Sequence, residues 1–196
     1  MQPTRNLPPT YHPIWSMRLK DSRLVLALNL LALGLFFPCG ICFLVYALAV
    51  RPDLEINGQF DNLSLVWLLA IIGTFAVTII LHELVHGLFY WIVTRERPTF
   101  GLTWLYAYAV APGWYFPRNP FIAIGLAPLV VITALGLLAI LFVPAKWLPL
   151  VLLALLTNAT GAVADVFVVG RLLFMAPEVI IEDRRDGITV FRQVTE

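Results

Sequence analysis

The sequence predicts an all-α integral membrane protein with four transmembrane helices, a short cytoplasmic β-hairpin between helices 2 and 3, and a small C-terminal hairpin. Three observations lead there. Of 196 residues, 60% are hydrophobic and 13% charged, with a mean hydropathy of +0.87, which is too apolar for a soluble domain of this length. The apolar residues gather into runs at 24–50, 63–93, 121–143 and 148–176, each longer than the roughly 20 residues a helix needs to cross a bilayer. The basic residues then fall in alternate connections between those runs. A net charge of +1, with no basic run, gives no reason to expect a nucleic-acid partner.

Residues 1–23 carry four prolines, the bases Arg5, Arg18, Lys20 and Arg23, and the aromatics Tyr11 and Trp15. They read as a mobile cytoplasmic arm ending in an interfacial basic anchor. The apolar run that follows is far longer than a signal-peptide core, so it reads as an uncleaved signal anchor. Residues 24–176 form the membrane domain, with 63–176 as its core, and 177–196 a cytoplasmic tail. Pro38 and Pro128 mark expected kinks. Cys39 and Cys42 form a CxxC, but with neither a thioredoxin-like context nor a second pair they read as small thiols in a membrane helix.

Orientation follows from counting Lys and Arg. The arm holds four, the 94–120 connection holds Arg95, Arg97 and Arg118, and the C-terminal end holds Arg171, Arg184, Arg185 and Arg192. Opposite them stand only Arg51, beside Asp53, Glu55 and Asp61, and Lys146. Eleven against two predicts a multi-pass protein of the cell (inner) membrane with both termini and the 94–120 connection cytoplasmic.

Within that connection Leu102, Trp104, Tyr106, Tyr108 and Val110 alternate with mostly small residues, a period of two that predicts a strand over 102–110. Pro112-Gly113 signals a turn, and Trp114-Tyr115-Phe116 a returning strand. An unpaired interfacial aromatic segment is the alternative. Near the C-terminus, 178–182 and 188–191 are β-prone runs around an Asp-Gly turn, which predicts the second hairpin.

The chemistry concentrates in His82-Glu83-Leu84-Val85-His86, inside the second apolar run. Two histidines four residues apart sit about 40° apart around a helix and one turn apart along it, so both imidazoles reach one ion. A carboxylate beside them is suited to take a proton from an activated water. In this pattern His82 and His86 are candidate Zn²⁺ ligands and Glu83 a candidate general base. Ionisable groups inside a membrane segment are costly unless paired or functional. The alternative is that these three bond one another and fix helix packing.

A catalytic zinc needs about three protein ligands and one open position. Besides Glu83, the only acidic residue within any run is Asp165, and the remaining histidine, His12, lies in the arm. The middle of the HELVH motif lies about 13 Å, and Asp165 about 15 Å, before the cytoplasmic ends of their helices, so the two share a level. Asn158, Gly161 and Asp165 are spaced i, i+3, i+7 along one helix face. Gly161 admits close approach of a helix or a substrate backbone, and Asn158 is suited to bonding a substrate amide or the oxyanion, or else to an interhelical hydrogen bond. An Asp165–Arg171 salt bridge is the rival role for Asp165, at a poor helical spacing.

These motifs resemble the site-2 protease class of intramembrane zinc metalloproteases and, more closely, the DUF3267 family of zincin peptidases. HELVH, Gly125-Leu126-Ala127-Pro128 and the stretch from Asn158 through Gly161 to Asp165 carry the likeness. The resemblance implies a three-helix core over 63–176 in which Asp165 completes the zinc site. Two features depart from the better-known proteases. Gly161 stands where they have a proline, with the Asn-to-Asp spacing one residue shorter, and Val166 follows the Asp where they have glycine.

The expected function is an intramembrane zinc metalloprotease that hydrolyses peptide bonds of transmembrane or membrane-associated proteins on the cytoplasmic side. Its partners would be such a substrate and the bilayer. Two rivals remain at this stage. A non-hydrolytic zinc-binding scaffold or regulator would keep the histidines and Asp165 but not require Glu83. A proton relay or small transporter would use the carboxylates as carriers, although both sit at one level and no repeat pair is visible.

Overall fold

The computed structural model describes residues 2–18, 21–52, 64–103 and 106–194. In chain order these contain β1 (Tyr11–Arg18), α1 (Ser22–Val50), α2 (Leu65–Thr94), β2 (Thr99–Leu102), β3 (Ala107–Val110), β4 (Tyr115–Pro117), α3 (Arg118–Ile140), α4 (Leu148–Gly161), α5 (Val163–Leu173), β5 (Ile180–Arg184) and β6 (Gly187–Gln193).

Helices α1, α2 and α3 are each long and apolar enough to cross a membrane, and α4 with α5 makes a fourth span if the pair, bent by 43°, is counted as one. Local chemistry sets their ends. Asp21 caps α1 by accepting from the N–H groups of Arg23 and Leu24, and Ser64 caps α2 by accepting from Trp67 N–H. At the far end of α1, the Arg51 guanidinium donates to the carbonyls of Ile140 and Val143, meeting acceptors that the end of α3 leaves unpaired. The run 148–176 is not one straight helix. The Thr160 hydroxyl bonds back to the Leu156 carbonyl, Gly161 follows, and the chain leaves helical geometry at Ala162. Asp165 consequently sits in the first turn of a new helix.

The all-α expectation is wrong: the fold is mixed, with a four-stranded antiparallel sheet of order β1-β6-β5-β4 and a separate two-stranded sheet, β2-β3. The arm is not free, since Tyr11–Arg18 pairs along β6 from Gln193 to Gly187. The C-terminal hairpin forms as expected, but it is the centre of a sheet rather than an isolated pair. The reason is physical: a two-stranded hairpin is marginal alone, and β1 and β4 supply the flanking strands and an apolar face. Met17, Phe116, Ile181 and Val190 on the sheet join Tyr90, Phe121 and Leu172 on the helices in one buried core. Gly187, at φ +148°, is required where β1 crosses, because a Cβ there would lie 2.0 Å from the Met17 carbonyl oxygen. Thr4 exchanges backbone hydrogen bonds with Tyr115, which covers the β4 edge.

The 94–120 connection also differs from expectation. Trp104 and Leu105 of the expected 102–110 strand lie outside the described residues, and the flanking segments are two strands, β2 and β3, joined around a Thr103 N–H to Tyr106 C=O bond. The returning strand, Tyr115–Pro117, pairs with β5 instead. Segments from both termini and the central connection therefore meet at one end of the helices.

Among the helices, α2, α3 and α4 pack on one another, α5 packs on α3, and α1 rests on α4 and α5.

Candidate metal centre

Helix α2 brings His82 and His86 to the same buried face, each about 8% exposed, with the rings 5.0 Å apart. The bend after α4 turns Asp165 toward them. One Asp165 carboxylate oxygen, Oδ2, lies 3.1 Å from His82 Nε2 and 3.5 Å from His86 Nε2. One donor atom from each of the three residues lies within 4.8 Å of the others. Ligands at 2.0–2.1 Å around a tetrahedral zinc stand about 3.3 Å apart, so this set fits a zinc with small adjustment. Its composition, two imidazoles and one carboxylate, is also that of known catalytic zinc sites.

The other ring nitrogens have partners outside the donor set, and that fixes which nitrogens face Asp165. His86 Nδ1 lies 3.0 Å from the Ile124 carbonyl, which only accepts, so Nδ1 carries a proton and Nε2 is the nitrogen left to bind a metal. His82 Nδ1 lies 3.0 Å from Asn158 Oδ1. The Asn158 amide nitrogen donates to the Pro128 carbonyl and to Thr133 Oγ1, both at 3.3 Å, which orients Oδ1 toward the histidine. Both imidazoles thus aim Nε2 at Asp165, with the tautomer set by outer partners.

The carbonyl that holds His86 is available because of the sequence Ile124-Gly-Leu-Ala-Pro128. In a helix the Ile124 carbonyl would accept from the N–H of residue 128, and proline has none. Pro128 thus frees one carbonyl for His86 and offers its own to Asn158.

Glu83 is half-buried and lines the same cavity as the three donors, a space of about 420 Å³. Ala109 of β3 lines the cavity together with Glu83. Residues 106–110 line the cavity too, and β3 pairs only with β2, leaving its second edge open among the described residues. Gly87, directly after the motif, lets this sheet come close: a Cβ there would lie 2.2 Å from the Phe100 ring of β2.

The structure brings His82, His86, Asp165, Glu83 and Asn158 together. Asn158, 1% exposed, serves as an interhelical anchor and a partner of His82. Gly161 lines the cavity wall, and among the described residues no atom lies within 4 Å of where its Cβ would be, so no described helix approaches it closely. Arg171 and Asp165 form no ion pair among the described residues, and His12 lies on β1, paired with Arg192. Cys39 and Cys42 are free thiols on α1.

Two cavity residues escape sequence reasoning. Tyr90, one turn beyond His86, is 2% exposed and donates its hydroxyl to the Asp183 carboxylate of β5. Burial pushes the Asp183 carboxyl up to about 7, against the lowering effect of that hydrogen bond. Tyr106 donates to the Arg185 carbonyl, so two tyrosines tie the β5–β6 turn over the cavity. The i+4 spacing of Tyr90 from His86 was the available signal; its partner in a distant strand had none.

A family model described as "Putative zincin peptidase" (DUF3267) matches residues 75–181, from within α2 to the start of β5. No curated protein and no solved structure matches the chain.

Proposed function

The chain belongs to the DUF3267 zincin peptidase family, and from that premise we propose that it is an intramembrane zinc metalloprotease acting on transmembrane or membrane-associated proteins from the cytoplasmic side. One observation carries this reading: the His82, His86 and Asp165 donors converge within 4.8 Å on helices apolar enough to count as candidate spans, with Glu83 on the same cavity wall.

His82, His86 and Asp165 would hold Zn²⁺, which when bound acidifies a water and polarises a carbonyl. Glu83 takes the proton from the attacking water and delivers it to the leaving amine nitrogen. Asn158 and the Ile124 carbonyl hold the two imidazoles in register. A peptide must be extended to be cut, and the open edge of β3 beside Glu83 offers backbone pairing for an unwound segment. The sheet formed by both termini and the central connection supports a common side for all three, and the Lys and Arg distribution favours the cytoplasm.

The test is cleavage of a panel of single-span substrates by detergent-purified protein, wild type against Glu83→Gln. Cleavage by the wild type alone supports the protease. Zinc-loaded wild type that cleaves nothing faster than Glu83→Gln would favour the scaffold.

A further inference from the structure

The matched span begins inside α2, so α1 lies outside it, yet Val25, Leu28 and Asn29 of α1 form part of the metal-site cavity wall. Asn29 is the sole carboxamide in this 29-residue apolar helix. It is exposed, and its side chain makes no hydrogen bond among the described residues. An amide facing hydrocarbon is costly, and polar residues in membrane helices therefore turn to cavities and substrate pathways. Asn29 lies about 10 Å along α1 from Ser22, and Asp165 about 12 Å along α5 from Leu173, so the two stand at a similar depth. Among the described residues α1 packs on α4 and α5, and its cavity-lining residues share that cavity with Ile79, His82 and Glu83 of α2.

This geometry has a chemical consequence for what can bind. A transmembrane segment unwound for cleavage exposes N–H and C=O groups that need partners in an apolar setting. One edge of such a strand can pair with β3, and the groups on its other edge need partners of their own. A carboxamide donates and accepts, which matches a peptide group.

Building on the protease reading above, we propose that Asn29 is a specificity-determining residue: its carboxamide hydrogen-bonds the main chain of a transmembrane substrate segment unwound by a helix-breaking residue near its cytoplasmic end. Segments that stay helical present no free peptide groups and gain nothing from it.

The test uses full-length protein in nanodiscs and two single-span peptides with the same flanks, one all-Leu and one carrying Gly-Pro about three turns from its cytoplasmic end. Binding is measured on the Glu83→Gln background, and cleavage on the active one. For the Gly-Pro peptide, Asn29→Leu is expected to weaken binding and raise KM roughly five- to tenfold, the scale of one hydrogen bond, with a smaller change in kcat. Asn29→Gln recovers most of the loss, binding of the all-Leu peptide is unchanged, and zinc content and melting temperature stay at wild-type values. Equal binding of the Gly-Pro peptide by Asn29→Leu and its parent overturns the inference while leaving the protease reading intact if the wild type still cleaves. A parallel loss of zinc or of melting temperature in Asn29→Leu overturns it in favour of a structural role. Zinc-loaded wild type without Glu83-dependent cleavage would count against the protease reading itself.

Discussion

His86 donates its Nδ1–H to the carbonyl of Ile124 across 3.0 Å, using an acceptor that α3 has left free because residue 128 is proline. A helix defect at Pro128, four residues after Ile124, is thus what orients one of the candidate zinc ligands. Pro128→Ala restores an N–H that competes for that carbonyl. Helix stability should rise, since proline inside a helix costs about 3 kcal/mol relative to alanine. Zinc affinity should fall roughly tenfold, at the lower end for loss of an outer partner. Chelator competition alongside thermal unfolding would read both; unchanged affinity would mean His86 needs no such help.

Asn158 anchors the other imidazole. Asn158→Ala removes the Oδ1 acceptor of the buried His82 Nδ1–H, together with the amide that donates to the Pro128 carbonyl and Thr133 Oγ1. A loss of roughly 10- to 100-fold in zinc affinity is expected, with destabilisation of about 1–3 kcal/mol from the unmet buried groups. Wild-type zinc affinity in this variant would assign Asn158 to packing alone.

Much of this site was legible in the chain, and the limits are instructive. HELVH fixes two imidazoles on one helix face by spacing alone, and Asp165 stands out because acidic residues within membrane runs are so few. The sheet was less visible, because β1-β6 and β4-β5 join segments far apart in sequence and no local period records such pairing. Asp183-Gly187 announced its hairpin through turn chemistry, but nothing in 178–191 announced that Tyr11–Arg18 would lie beside it. The bend at Ala162 carries no proline, only Thr160 and Gly161, which rarely break a helix alone. Asn29 was readable as a lone amide in an apolar run, and its relevance appears only once α1 is seen at the cavity.

Gly87→Ala tests whether the β2-β3 sheet must sit against α2. The added methyl meets the Phe100 ring at 2.2 Å and must displace it. Cleavage should drop at least tenfold while zinc content stays at the wild-type level, because the metal donors lie on other faces. Full activity would show that the sheet position is not needed for substrate.

The Tyr90–Asp183 contact carries a pH dependence. With the Asp183 carboxyl raised to about 7 in the docked hairpin, from an ordinary value near 4, docking binds a proton. The β5–β6 hairpin is therefore held most firmly at low pH, and its hold weakens as pH rises from about 4 to about 7, levelling off above that. Hydrogen exchange across 180–193, corrected for intrinsic rates, should show falling protection between pH 5 and 7.5 in the wild type and a flat profile in Asp183→Asn. A wild-type profile as flat as that of the variant would contradict it.

The most direct test is zinc content combined with zinc K-edge X-ray absorption on detergent-purified protein, comparing wild type, Glu83→Gln and Asp165→Ala. Near-stoichiometric zinc is expected in the wild type and in Glu83→Gln, with two imidazoles and oxygen donors at about 2.0–2.2 Å. Asp165→Ala should lose the metal or one oxygen donor. Wild-type protein that takes up no zinc after reconstitution, or an unchanged coordination shell in Asp165→Ala, would contradict the site described for His82, His86 and Asp165.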